Sequence, residues 1–265
     1  RGAFRRAPGH EASVQPLLLT RGESRNVVLP LVRAGSLPPG FVYVPPGDVR
    51  FGSAAESSVR DFFNATPLHT VPVQGFLIAR HETTYADWLQ YLAALPAGER
   101  ASRQPRVGTG GYAGGLALEP DGNGWRLRFQ PGGERYTART GEPVRYARRS
   151  QRAEQDWRQF PVSGINFADA EAYVTWLSTS GRVPGARLCS ELEWERAARG
   201  VDGREYPHGN RLGPDEANVD VTYGKDPGGF GPDVVGSYPA SRSPFGADDM
   251  AGNVWEWTRS WLEPG

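Results

Sequence analysis

The chain has little cysteine, little lysine, little methionine and no long apolar run. Its 265 residues include one cysteine, Cys189, and one methionine, Met250. A single thiol excludes an internal disulfide and a four-cysteine zinc site. No apolar stretch nears the ~20 residues that cross a bilayer, so no membrane span is expected. Of the 30 basic residues only Lys225 is a lysine, and 30 acidic residues balance them. Zero net charge leaves no overall field to recruit nucleic acid or an anionic membrane. The opening RGAFRRAPGH has arginines but no apolar segment behind them, so it is not a signal peptide. It also lacks an initiator methionine, and both ends read as cut from a longer chain. There is no P-loop, no Rossmann fingerprint and no G-x-S-x-G elbow.

What is present is turn-forming and aromatic. The 34 glycines and 23 prolines predict many turns and long irregular segments. Eight tryptophans and eleven phenylalanines can still fill a core. Residues 13–32 read as two strands around a turn at Arg21-Gly22-Glu23, so 1–35 is expected to be a β-hairpin, the end of a small β-domain or an extension. AGSLPPG, residues 34–40, reads as a linker, and 40–265 as the main domain. FVYVPPGDVRFGS opens it with a strand, a turn and a second strand.

Three helices carry apolar stripes. The first is capped by Thr83 or Thr84, buries Tyr85, Trp88, Leu89, Leu92 and Leu95, and stops at Pro96. The second starts at Asn166 with Asp169 in its first turn. The third has Ser190 and Glu193 at capping-box spacing and Gly200 at its end. Between the first two lies a Gly-rich insertion, 97–156, with a hairpin around Pro131-Gly132-Gly133. Its arginines (Arg135, Arg139, Arg145, Arg148, Arg149, Arg152) allow two readings, a solvated mobile insertion or a flap that contacts a ligand. After Gly200 periodicity vanishes, and such a long loop needs metals or tryptophans to organise it.

Few side chains suggest chemistry. Cys189 precedes a helix N-terminus, which favours a thiolate, but its Leu-Cys-Ser setting equally suits a buried structural residue. His69 and His81 flank a strand and could pair on a metal. The loop with Asn218, Asp220 and Asp226 and the loop with Asn253 and Glu256 are rich in oxygen. Calcium takes six to eight such ligands, but the same groups also satisfy turns.

Read in order, PLHTVPVQGFLIARHETTYADWLQYL, FPVSGINFADAEAYVTWL, ARLCSELEWERAARG, YPHGN and VGSYPASRSPFGADDMAGNVWEW resemble the formylglycine-generating-enzyme, or sulfatase-modifying-factor, family. The resemblance runs from about Phe41 to Trp261. GFVYVPPGDVRFGS and the insertion resemble a subgroup fused behind bacterial serine/threonine kinases. The resemblance implies an α+β, C-type-lectin-like fold with little regular secondary structure, following a short β-hairpin remnant. It places structural calcium at Asn218, the Val219 carbonyl and Asp226, and again at Asn253, the Val254 carbonyl and Glu256. The first set is weakened by Gly228-Gly229-Phe230, where the family has Asp-Gly before the phenylalanine.

Catalytic members carry a copper-binding cysteine pair after WEW. No catalytic residue maps here, and the chain as given lacks that C-terminal segment. Two functions follow. One is a non-catalytic module that binds an unknown ligand or protein, with a kinase domain in the same parent chain. The other is a copper-dependent formylglycine-generating oxidase whose cysteine-bearing tail is missing. A third, an iron-dependent sulfur-transfer enzyme, would need an upstream histidine-bearing helical domain, and none is visible. The location leans to the bacterial cytoplasm.

Overall fold

The computed structural model describes residues 2–5, 7–24, 26–28, 30–62, 65–108 and 115–260. Two short strands come first, β1 (Gly2–Arg5) and β2 (Ser13–Pro16), which pair with each other. The expected hairpin within 13–32 is therefore not the pairing found. Residues 13–16 pair backwards with 2–5, and among the described residues 24–32 contain no strand.

The main unit opens with β3 (Phe41–Val44) and β4 (Gly47–Phe51), as the sequence suggests. These two do not form a hairpin. After the short helix α1 (Ser57–Phe62), β5 (His69–Val73) pairs with β4 and β6 (Phe76–Ala79) with β3, so one hairpin nests outside the other. Next comes α2 (Tyr85–Ala94), capped by Thr84, which bonds Asp87 reciprocally. The backbone fastens its start to the chain ahead of α4: Tyr85 N–H donates to Phe160 O at 3.0 Å, and Val162 N–H to Thr83 O at 2.8 Å. A short α3 (Ala97–Ser102) follows Pro96.

Residues 106–155 hold β7 (Arg106–Val107), β8 (Leu116–Asp121), β9 (Gly124–Phe129), β10 (Tyr136–Arg139), β11 (Val144–Arg145) and β12 (Glu154–Gln155). The first four form one sheet in the order β10-β9-β8-β7. The expected hairpin around 131–133 is its β9–β10 pair. This stretch is not a solvated appendage. Leu118, Leu127, Phe129, Tyr136, Ala138, Val144 and Tyr146 are buried with Tyr85, Trp88, Tyr91 and Leu92 in the larger core. The alternation along β9 and β10 puts charged residues outside and these apolar ones inside.

Helix α4 (Phe167–Thr179) begins at the Asn166–Asp169 capping box and adds Tyr173, which stacks on Trp88 at 5.3 Å. Helix α5 (Glu191–Arg199) begins at the Ser190–Glu193 box and ends at Gly200, whose φ of 72° suits glycine. A smaller core joins α5 to β3 through Val42, Val44, Ala197, Ala198, Phe245 and Met250. Arg196, with no exposed surface, crosses it and donates to Pro45 O at 2.8 Å and Asp48 O at 2.6 Å. Gly47 makes room, since a Cβ there would sit 2.7 Å from Arg196 Nη2. Burial without a carboxylate partner pulls this guanidinium down to about 10.

Among the described residues after Gly200 the helical elements are 3₁₀ turns at Asp220–Tyr223, Pro227–Gly229 and Pro239–Ser241. The α+β expectation with little regular structure holds. No helix among the described residues is long and apolar enough to cross a membrane.

Candidate functional site

A cleft of about 1250 Å³ opens between these elements. One wall is the continuous run 75–83, from β6 into the turn before α2. Tyr173, Val174 and Leu177 of α4 line it too, with 183–189 and parts of the irregular tail. Its walls are mainly apolar, and polar groups gather near Glu82, Asn253 and Glu256. Concave apolar sites with a few converging polar groups are the usual form of a ligand pocket.

Asn253 ties the polar end together. Its φ of 65° turns the backbone so that the amide points inward. Its Oδ1 accepts Asn218 Nδ2 at 3.1 Å and the Asp233 N–H at 2.9 Å. Its Nδ2 donates to Glu82 Oε1 at 3.1 Å. The backbones meet as well, Asn253 N–H donating to Asn218 O at 2.9 Å.

Three carboxyls crowd behind this amide. Glu82 Oε2 is buried and receives no N–H or O–H donor. Burial pushes the Glu82 carboxyl well above the usual range, and the charges of Asp249 and Glu256 push it further. Burial also raises Asp249, whereas the Gly236 N–H and the Glu82 carboxyl hold it back. The two carboxyls thus sit together in a largely buried setting that disfavours the charged form. Glu256 keeps surface open to the cleft, yet its carboxyl sits deep, and burial pushes it up to about 7. Next to them, buried Asp248 receives Arg242 Nε at 2.6 Å and lies 3.1 Å from His81 Nε2.

A second network of side chains also holds the tail. Arg149 and Asp233, both with fully buried side chains, meet at 2.5 Å. Arg149 also donates to Gly229 O at 2.6 Å and Gly231 O at 2.7 Å, between the Tyr146 and Tyr223 rings. Asp233 further accepts from Gln155 Nε2 at 2.8 Å, Tyr223 OH at 2.7 Å and Tyr238 OH. The same Asp233 supplies the N–H that Asn253 accepts, so the network supports the cleft's polar end.

The residues singled out by sequence separate here. Asn218 and Asn253 come together. Glu256 joins Glu82 and Asp249. Asp226 does neither: its Oδ1 caps the Pro227–Gly229 turn through Gly228 N–H at 2.9 Å, and its Oδ2 lies 3.7 Å from Arg148. The Val219 carbonyl accepts the Thr222 N–H at 3.0 Å. The Asn253 amide is spent on hydrogen bonds, and no group of three His, Cys, Asp or Glu among the described residues is set to hold a metal. As arranged, these atoms do not present an oxygen cage, and the calcium expectation rests on the resemblance alone. Copper(I) fits no better, since it needs thiolates and this chain has one thiol. Burial and the charges of Glu256 and Glu193 push Cys189 up to about 12, so it is a neutral wall residue.

His69 bonds Pro67 O at 2.8 Å while His81 faces Asp248, so they form no metal pair. Arg139 and Arg145 face Asp121 and Glu154 of the insertion itself, while Arg148, Arg149 and Arg152 face Asp226, Asp233 and Asp215 of the tail. Trp255 is fully exposed rather than core, and Trp257 is 49% exposed. Trp261 lies outside the described residues. Sequence reasoning missed Glu82, Asp248, Asp249 and Asp233. Only the Asp-Asp doublet before Met250 hinted at them.

Comparison with known proteins agrees with the motifs. The model of the sulfatase-modifying factor enzyme 1-like domain matches residues 31–265. Hercynine oxygenase of Mycolicibacterium smegmatis is 31% identical over 265 residues, covering 96% of this chain and 54% of that protein. Formylglycine-generating enzyme of Mycobacterium tuberculosis is 29% identical over 257 residues, covering 84% and 75%. Serine/threonine-protein kinase pkn1 of Chlamydia pneumoniae is 37% identical over 214 residues, covering 79% and 26%. The chain thus spans about half of the first of these relatives and a quarter of the last. The chain belongs to the family of sulfatase-modifying factor enzyme 1-like domains.

Proposed function

We propose that this is a non-catalytic binding module of the formylglycine-generating-enzyme type, with the lectin-like architecture that type implies. Its cleft receives an extended ligand of mixed polarity. The observation that carries this reading is the cleft itself, with apolar walls, a carboxyl cluster at one end and a protonated thiol in its side. Similarity to pkn1 supports placing the module in a parent chain with a serine/threonine kinase, where ligand binding would be sensed.

Selection tests the reading. Random linear peptides displayed on phage are panned against the protein and against Ala186→Trp, a cleft-wall change that adds bulk on a loop. Peptides that bind the wild type and lose affinity for Ala186→Trp support the proposal. Selected peptides indifferent to that change reject it.

The relatives named as an oxygenase and as a formylglycine-generating enzyme favour a second reading, an oxidase. Its test is the full parent chain with copper(I), oxygen and a cysteine-bearing peptide, read by mass for conversion of thiol to aldehyde. Turnover there would displace the binding reading.

A further inference from the structure

His81 lines the cleft in the turn between β6 and α2, and its side chain is 36% exposed. The backbone places it. Asp248 N–H donates to Arg80 O at 2.8 Å, which seats the tail against this turn. His81 Nε2 then lies 3.1 Å from Asp248 Oδ2. Gly236 leaves room for the ring: a Cβ there would stand 3.0 Å from Nε2, and its φ of 75° suits glycine.

Asp248 has a side chain only 1% exposed, and Arg242 compensates its charge through both oxygens, Nε to Oδ1 at 2.6 Å and Nη2 to Oδ2 at 3.2 Å. An ionised carboxylate only accepts, so the ring nitrogen that faces it carries the hydrogen. In neutral His81 the lone pair then falls to Nδ1. That atom is not among the buried unpartnered ones, and no hydrogen bond with the described residues reaches it. The other histidines differ. Nδ1 of His10 bonds Pro8 O, Nδ1 of His69 bonds Pro67 O, and Nδ1 of His208 is buried. Around the His81 ring the charged groups are Asp248, Arg242, Asp249 and its own neighbour Glu82. Three carboxyls against one guanidinium disfavour an anion there, and the rest of the cleft wall is mainly apolar.

We infer that His81 Nδ1 is a hydrogen-bond acceptor for the ligand, and that it takes a neutral donor, a hydroxyl carried on an apolar body. The inference rests on the binding reading above and names the chemistry of one bound group. Asp248 acts through the ring, fixing which nitrogen keeps the lone pair. Binding of such a group is pH-dependent, because protonated His81 has no lone pair to offer.

The probe is phenol, followed by long-range proton–nitrogen NMR of the His81 ring in the wild-type protein. The His81 signals are those lost in His81→Gln or, should that variant not fold, those left when His10, His69 and His208 are each replaced by Gln. The neutral ring should carry its hydrogen on Nε2. Phenol should shift Nδ1 saturably. Anisole has the same body without the O–H, and benzoate is an anion of similar size, so both should act about fivefold or more weakly. The response to phenol should vanish at the pH where the same spectra show the ring protonated. A neutral ring with its hydrogen on Nδ1 overturns the inference. So does a phenol response no stronger than that of anisole or benzoate, no response at all, or one that persists on the protonated ring. In each of those cases the library selection still judges the cleft separately.

Discussion

Asn218 and Asn253 are bonded twice, backbone to backbone at 2.9 Å and amide to amide at 3.1 Å. This double contact joins the loop after α5 to the segment before Trp255, where no strand or helix could do so. It also holds the polar end of the cleft in shape.

Asn253→Ala should therefore cost more than an ordinary surface change. It removes acceptors for Asn218 and Asp233 and a donor to Glu82, and it leaves a left-handed backbone that alanine tolerates poorly. The expected loss is about 2–4 kcal/mol, or roughly 5–10 °C in Tm for a chain of this size. Calorimetry showing a loss below about 1 °C would mean the joint is held by something else.

The carboxyl cluster gives stability an unusual pH slope. Glu82 and Glu256 are raised in the folded state, so folding takes up protons. Their contribution is full when both are protonated. For Glu256 it is lost as pH rises from the ordinary value of 4.5 through about 7. Glu256→Gln should flatten the fall in Tm between those pH values. Glu193 works in the opposite sense. Arg187 and the Ser190 cap pull it down to about 2, so its contribution is present above 4.5 and is lost as pH falls towards 2. A Glu256→Gln profile parallel to wild type across pH 4.5–7 would show that the cluster does not titrate as described.

The Arg149–Asp233 pair should behave as a buried ion pair. Asp233→Ala strands a desolvated guanidinium and should cost about 3–5 kcal/mol. The double change Arg149→Met, Asp233→Leu should cost less than Asp233→Ala alone. Denaturant melts of the two variants against wild type check this, and a double variant worse than the single one would contradict it.

Chelation separates two accounts of the Asn218–Asn253 joint. Its hydrogen bonds close it without an ion, so excess chelator should leave Tm within about 1 °C. A bound structural ion stabilises only the folded state, so a fall of several degrees would assign calcium to these loops.

What was legible in the sequence was local. Thr84 with Asp87, Asn166 with Asp169 and Ser190 with Glu193 mark their helices because a cap involves residues three apart. The β9–β10 hairpin was legible for the same reason. Strand partners were not. Nothing in 41–51 shows that β3 and β4 each wait for a strand further along the chain. The arginines of 97–156 concealed its share of the core, because charge on the outer face of a strand is as visible in sequence as apolar residues on the inner one. The crowding of Glu82, Asp249 and Glu256 joins residues far apart in the chain, and no motif announces it.

The central claim is that the cleft is where this module meets its ligand. Hydrogen–deuterium exchange of the protein with and without a library-selected peptide tests it most directly. The account predicts slowed exchange in residues 75–83 and 183–189, both of which line the cleft. Protection confined to surfaces outside the cleft, with these two stretches unchanged, would contradict it.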